Sequence, residues 1–313
     1  MKKILVFFVI LFFLAIACTY IFIPATIRIS KSVTINANKN ALYRKLVNAD
    51  SWGEWWPGKQ NATGTTREYI LQGLRFIPGE PKFISMPVVI RSANLSGYSE
   101  ITFIPFGIDS TTLQFDISVP TSNNPFKRIV VYLNAKQLNS STSEILKSIN
   151  DTYSKIENLY NCDIQKKLVT DTALIFTSSE IKGIPDNKSI YSLIDKLKVY
   201  ISRNAAKETG SPMLNVFKKD SNTYLVKVAI PVDRKLPASG NISYRWMLGG
   251  GNILVTEVKG GQDEIDKAYK QILNYISDNR RTAPAIPFES LVTDRRKEPD
   301  SSKWVTRIYY PVM

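Results

Sequence analysis

A reacting group must donate, accept or hold charge, and the commonest such group is missing: the 313-residue chain contains no histidine. Ser-His-Asp and Cys-His arrangements are therefore impossible, and the usual general base and metal ligand are lost together. The only cysteines are Cys18 and Cys162. They cannot build a disulfide framework, and no metal site is expected from them. The run Gly53-Glu-Trp-Trp-Pro-Gly58-Lys59-Gln60 has the spacing of a phosphate-binding loop up to its lysine. Gln60 then stands where magnesium needs a hydroxyl, and the interior is bulky where a phosphate needs bare backbone N–H groups. Gly249-Gly250-Gly251 falls between two strand-like runs and reads as a turn. No cofactor is expected. What remains is carboxylates and aromatic rings. Glu289 opens a predicted strand in an apolar setting, whereas Glu180 and Glu257 each lead towards a Lys-Gly pair and read as solvated strand ends paired at the surface. The candidate ligand-contacting rings are Tyr224, Trp246, Tyr269 and Trp304 in the C-terminal half and Trp55 and Trp56 in the N-terminal half, each weighed against ordinary core packing.

These groups must be positioned by regular elements, and the C-terminal half repeats its elements. TYLVKVAIPV at 223–232 returns as KWVTRIYYPV at 303–312, SEIKG at 179–183 as TEVKG at 256–260, and YISRN at 200–204 as YISDN at 275–279. Three matches in one order make a unit used twice, about 161–232 and 241–312. Each copy reads strand, strand, helix, strand, strand. In the helices, Tyr191, Ile194, Leu197 and Ile201 share one face, as do Ile265, Tyr269, Ile272 and Ile276. Duplication implies a pseudo-twofold axis with a groove along it, placed between the two closing Pro-Val strands. By the repeat offsets Glu289 and Trp304 correspond to Asn215 and Thr223, so the second copy is expected to charge the groove.

The N-terminal half reads differently. Residues 4–23 are apolar or nearly so, follow Lys2 and Lys3, and are long enough to cross a ~30 Å hydrocarbon layer. An uncleaved single-pass anchor at 1–24 is the expectation, with cleavage or lipidation near Cys18 as the alternative. Lys2 and Lys3 place the bulk of the chain outside the cytoplasm, periplasmic if the source is bacterial. From 25 to 160 the pattern is a strand with alternating residues from Ile27 to Ile35, a short helix ALYRKLVNA, several strand-like runs, and an amphipathic helix opened by Thr142 or Ser143. The fold class is α+β: an apolar N-terminal helix, an antiparallel sheet wrapped on a helix, and a duplicated ββαββ domain at 161–313.

Strand VTINANKN, helix ALYRKLVNADSW and the segment WGEWWPG resemble the start of the SRPBCC superfamily, the START-like or polyketide-cyclase-like helix-grip domains. That resemblance implies a hydrophobic cavity closed by the last helix, with Trp55 and Trp56 near it. Gly260, Ala268-Tyr269, Ile272-Leu273, Phe288-Glu289 and the terminal IYYPV resemble the GyrI-like small-molecule-binding domain, the effector-binding domain of AraC-type and MerR-type regulators. It implies that Glu289 is the pocket-floor acid that attracts organic cations. Gly260-Gly261-Gln262 departs from the family's Gly-Pro-Tyr, and no helix-turn-helix module precedes the domain.

The net charge of +14 is spread along the chain, so it reads as a solvated basic surface and not a nucleic-acid footprint. The expected function is a membrane-anchored, non-catalytic sensor or carrier. It would take an apolar ligand in the START-like cavity and a flat or cationic one in the GyrI-like groove. The alternatives are a glutamate-dependent hydrolase of small electrophiles or esters, and a protein-interaction module in envelope signalling.

Overall fold

The computed structural model describes the backbone of all residues except 1, 64, 65 and 171, and the side chains of all except 1–3, 5, 6, 62–66 and 171. The chain divides into two units, Met1–Leu159 and Tyr160–Met313. Both are α+β, each with one antiparallel sheet.

The first unit begins with helix α1 (Lys2–Phe22), whose described side chains from Phe7 to Phe22 are mostly exposed apolar groups. Among the described residues no helix is long and apolar enough to cross a membrane. The expected span includes Leu5 and Val6, whose side chains lie outside the described residues. The expected span at 4–23 is thus unsupported, and anchoring enters below only as a proposal.

Strand β1 (Thr26–Ile35) follows, then helix α2 (Lys39–Val47), a 3₁₀ turn at Ala49–Glu54, and a meander of β2 (Lys59–Thr63), β3 (Thr66–Leu71), β4 (Leu74–Pro78), β5 (Ser85–Arg91), β6 (Ser96–Pro105) and β7 (Thr111–Pro120). The sheet order is β1-β7-β6-β5-β4-β3-β2, so β1 joins the far end of the meander, running from Thr26 opposite Pro120 to Ile35 opposite Thr111. Helix α3 (Pro125–Tyr153) crosses this sheet and buries Val131, Leu138, Ile145 and Ile149. It starts well before the expected Thr142 or Ser143. Asn124 caps it by accepting from the N–H groups of Phe126 and Lys127, and Pro125 stands at a position whose N–H would be unpaired anyway. The early turns hid from periodicity because apolar residues fall on two faces: Val131 and Ala135 are buried, while Phe126, Val130 and Leu133 are exposed. A separate short helix, α4 (Ile156–Tyr160), ends the region.

The tryptophan segment folds inward. Trp52, Trp55 and Trp56 are all buried, with ring centroids 4.9–5.7 Å apart, and Tyr69 and Phe76 complete the cluster. Trp52 Nε1 donates to Leu46 O at 2.6 Å and Trp56 Nε1 to Ile70 O at 3.2 Å.

In the second unit β8 (Gln165–Leu168), β9 (Thr172–Lys182), helix α5 (Asn187–Arg203), β10 (Met213–Lys218) and β11 (Thr223–Val232) form the first copy. The second comprises β12 (Ser243–Met247), β13 (Asn252–Lys259), helix α6 (Gln262–Asp278), β14 (Phe288–Leu291) and β15 (Val305–Val312). The eight strands make one sheet in the order β12-β9-β11-β10-β14-β15-β13-β8. Two expectations change. The axis lies between β10 and β14, where Leu214 pairs with Glu289, and not between the closing strands. The first strand of each copy also leaves its own half: β8 pairs with β13 and β12 with β9. Helix α5 buries its expected face, Tyr191, Ile194, Leu197 and Ile201, with Ile190 added, whereas α6 buries Ile265, Ile272 and Ile276 with Ala268, and leaves the expected Tyr269 half-buried.

Gly58, part of the apparent phosphate-loop spacing, has a structural reason to be glycine: a Cβ there would lie 2.0 Å from Ile70 O and 2.9 Å from Trp56 Nε1. Backbone cannot yield as a flexible side chain would, so Gly58→Ala is expected to destabilise the first unit by about 1–3 kcal/mol in urea titrations followed by tryptophan fluorescence.

Candidate functional site

Strand alternation sorts the central strands of the second unit onto two faces. Leu214, Val228, Glu289 and Ile308 sit opposite one another across β11, β10, β14 and β15, and Leu214, Val228 and Ile308 are buried. This face packs against the helices. Glu289 therefore lies in the helix-covered layer, with its side chain only 14% exposed. Arg295, 6% exposed, brings Nη2 to 3.8 Å from Glu289 Oε2 and donates to Thr306 Oγ1 at 3.0 Å. The Arg295 guanidinium also lies 5.0 Å from the Trp304 ring, a cation-π contact that shares its charge with an aromatic face. Tyr191 ties the segment down, its hydroxyl accepting from Arg295 N–H at 2.8 Å.

Burial pushes the Glu289 carboxyl above the ordinary carboxylate range, with Arg295 opposing and Asp266 adding to the rise. Burial also raises the Tyr269 phenol, and the Glu289 charge adds to that effect. The same desolvation lowers Arg295. Glu289, Tyr269 and Trp304 are thus brought into one buried neighbourhood, but Glu289 is answered there by the protein's own cation and does not line a groove.

The opposite face carries Met213, Phe288, Ser290, Arg307 and Tyr309, of which Met213 and Ser290 are buried, and the Phe288 and Tyr309 rings, paired across β14 and β15, stack at 4.9 Å with 6° between planes. A cavity of about 590 Å³ lies on it, lined by Phe176, Met213, Trp246, Leu248, Ile286 and Phe288 among others. A second of about 890 Å³ shares Met213, Trp246 and Phe288 and adds Ser290, Arg307 and Tyr309. Both volumes fall within the ~300–1,000 Å³ of small-molecule sites, and the first is almost wholly apolar.

The other expected site residues are scattered. Trp246, 52% exposed on edge strand β12, lines both cavities. Tyr224 is half-buried beside Ile181 of β9, with Lys218 Nζ at 6.0 Å from its ring, and lines neither. Trp55 and Trp56 belong to the aromatic cluster of the first unit. Met213, Phe288, Tyr309 and the cations Lys227 and Arg307 were not among the expected residues. Lys227 and Arg307 fall at the same place in the repeated LVKVAIPV and VTRIYYPV, and that coincidence was the available signal.

Sheet register also corrects the internal alignment. Leu214 corresponds to Glu289, Val228 to Ile308 and Thr177 to Thr256. Glu289 is therefore matched by Leu214, not Asn215, and Trp304 by Tyr224, not Thr223. Glu257 is matched by Ser178, so the SEIKG and TEVKG motifs are two residues out of step in space. Glu180 and Glu257 are both surface-paired as expected, with Lys219 at 2.5 Å and Arg307 at 2.9 Å.

Residues 165–313 match the family model of the GyrI-like small molecule binding domain. Over those residues the second unit carries a GyrI-like domain. No curated protein matches the chain. Among solved structures, the C-terminal domain of EcmrR is 18% identical, with a TM-score of 0.42 over 49% of this chain and 98% of that one. SAV2435 bound to tetraphenylphosphonium is 12% identical, with a TM-score of 0.32 over 48% and 94%. A hydrolase from Listeria innocua is 14% identical, with a TM-score of 0.36 over 49% and 92%.

Removing Arg295 would leave a buried carboxylate without its cation. Arg295→Met is expected to cost about 3–5 kcal/mol at neutral pH, and Arg295→Met with Glu289→Gln to recover most of it. A carboxyl whose folded pKa is raised contributes stability at acid pH that is lost as pH rises through that value. The defect of Arg295→Met should therefore shrink in urea titrations repeated at lower pH.

Proposed function

We propose that the GyrI-like unit binds a flat, apolar small molecule non-catalytically on its concave face, in a protein held at a membrane by α1. The observation that carries the first part is the 590 Å³ cavity, walled by Met213, Trp246, Ile286 and Phe288, whose ring is backed by the stacked Tyr309 ring. Family membership of residues 165–313 supports a ligand-binding role. A glutamate-dependent hydrolase finds less support, since Glu289 faces the helices and pairs with Arg295, and no carboxylate side chain lines the apolar cavity. The same pairing weighs against Glu289 as the anchor for a cationic ligand.

Membrane attachment is supported by the exposed apolar surface of α1 and by α3, whose outward Phe126, Val130 and Leu133 give way to Lys136, Gln137, Asn139 and Ser140 further along. α1 is fastened to this region. Arg128 Nε donates to Ile23 O at 2.9 Å, and Tyr20 OH to Asn123 O at 2.5 Å. The START-like assignment of the first unit rests on element order and the tryptophan segment. Its rings pack on one another, so ligand binding is placed in the second unit.

A neutral pyrene probe titrated into the protein should bind saturably, with Phe288→Ala and Trp246→Ala each weakening it about tenfold, a loss of about 1.4 kcal/mol. Unchanged affinity in both variants would move the site elsewhere.

A further inference from the structure

The pseudo-twofold leaves one charge on the concave face without an answer. Arg307 and Lys227 are structural equivalents on β15 and β11. Across the sheet, Arg307 faces Glu257 of β13, and the two form an ion pair at 2.9 Å. Lys227 faces Ser178 of β9, the equivalent of Glu257, and Ser178 supplies no charge. Lys227 alternates with the buried Val226 and Val228, so it stands on the cavity side, and it is the only charged side chain lining the 590 Å³ cavity. Among the described residues it makes no ion pair.

The adjoining cavity adds Lys167, Arg234, Lys235 and Arg307 against a single acid, Asp233, whose carboxylate already accepts the Lys207 N–H at 3.0 Å. Arg234 is spent on the Ala205 carbonyl, and Lys235 lies 5.5 Å from the Tyr244 ring. Lys227 is half-buried beside an apolar wall and has no counter-charge, so a ligand anion there makes a charge-assisted contact.

We propose that the concave face selects an anionic amphiphile, an apolar body with a carboxylate or similar group, held by Lys227 in the first copy. This rests on the concave face being the binding site. The test is calorimetric titration of the full chain in zwitterionic nanodiscs, with empty discs subtracted, using pyrenebutyrate, its carboxamide and pyrenebutylammonium. The anion should bind about tenfold tighter than the amide, and the cation weakest. Lys227→Met should remove the anion's advantage while sparing the amide. Ser178→Glu, which copies the ion pair of the second half, should do the same, whereas Glu257→Gln, which frees Arg307, should strengthen anion binding. Equal affinity for amide and anion, indifferent to Lys227→Met, would overturn the anion preference and leave the binding face intact. Preference for the cation would also overturn it. Failure of all three probes to bind would instead remove the binding face itself.

Discussion

The short pairing of β10 with β14 makes the second unit one sheet and not two. Only Met213 with Ser290 and Leu214 with Glu289 are paired across it. So short a join would be weak if the two halves were otherwise separate. They are tied again at their edges, because β8 and β12 are exchanged and each completes the sheet of the other copy. Exchange commits both halves to one register, and register decides which side chains face outward, since a slip of one residue would turn every one over. The concave face, its cavities and the placing of Glu289 all follow from that constraint.

Duplication builds the concavity, and the places where the copies differ give it chemistry. On the helix-covered face the difference is Leu214 against Glu289, and the carboxylate is compensated internally by Arg295, Trp304 and the surrounding hydrogen bonds. On the open face it is Ser178 against Glu257, so one of two equivalent cations is neutralised and the other is not. A buried pair of opposite charges mostly repays its own desolvation. A lone cation beside an apolar wall is the less balanced arrangement, and it faces the cavity.

The first unit follows a different economy. Its aromatic rings fill its interior, with Trp52 and Trp56 hydrogen-bonded to backbone carbonyls and Gly58 leaving room for the close approach of Ile70. The join to α1 is built from polar contacts, Arg128 to Ile23 O and Tyr20 to Asn123 O, so the apolar helix is fastened to the domain by more than a covalent link.

Much of this was legible in the chain itself. The absence of histidine excluded whole classes of chemistry, because no fold can supply a missing side chain. The repeat, the amphipathic faces of α5 and α6 and the strand alternation in β1 were readable because each is a local periodicity imposed by burial on one side. Helix α3 was half-missed because its first turns are apolar both inward and outward, so one-sided periodicity fails there. What the tertiary structure alone decided was partnership. Exchange of β8 and β12, the two-residue offset between the SEIKG and TEVKG motifs, and the face on which Glu289 lies depend on which strands pair, and pairing between segments tens of residues apart leaves no periodic trace. The types of Lys227, Arg307, Ser178 and Glu257 were visible from the start; that one cation is answered and the other is not exists only once β9 lies beside β11 and β13 beside β15.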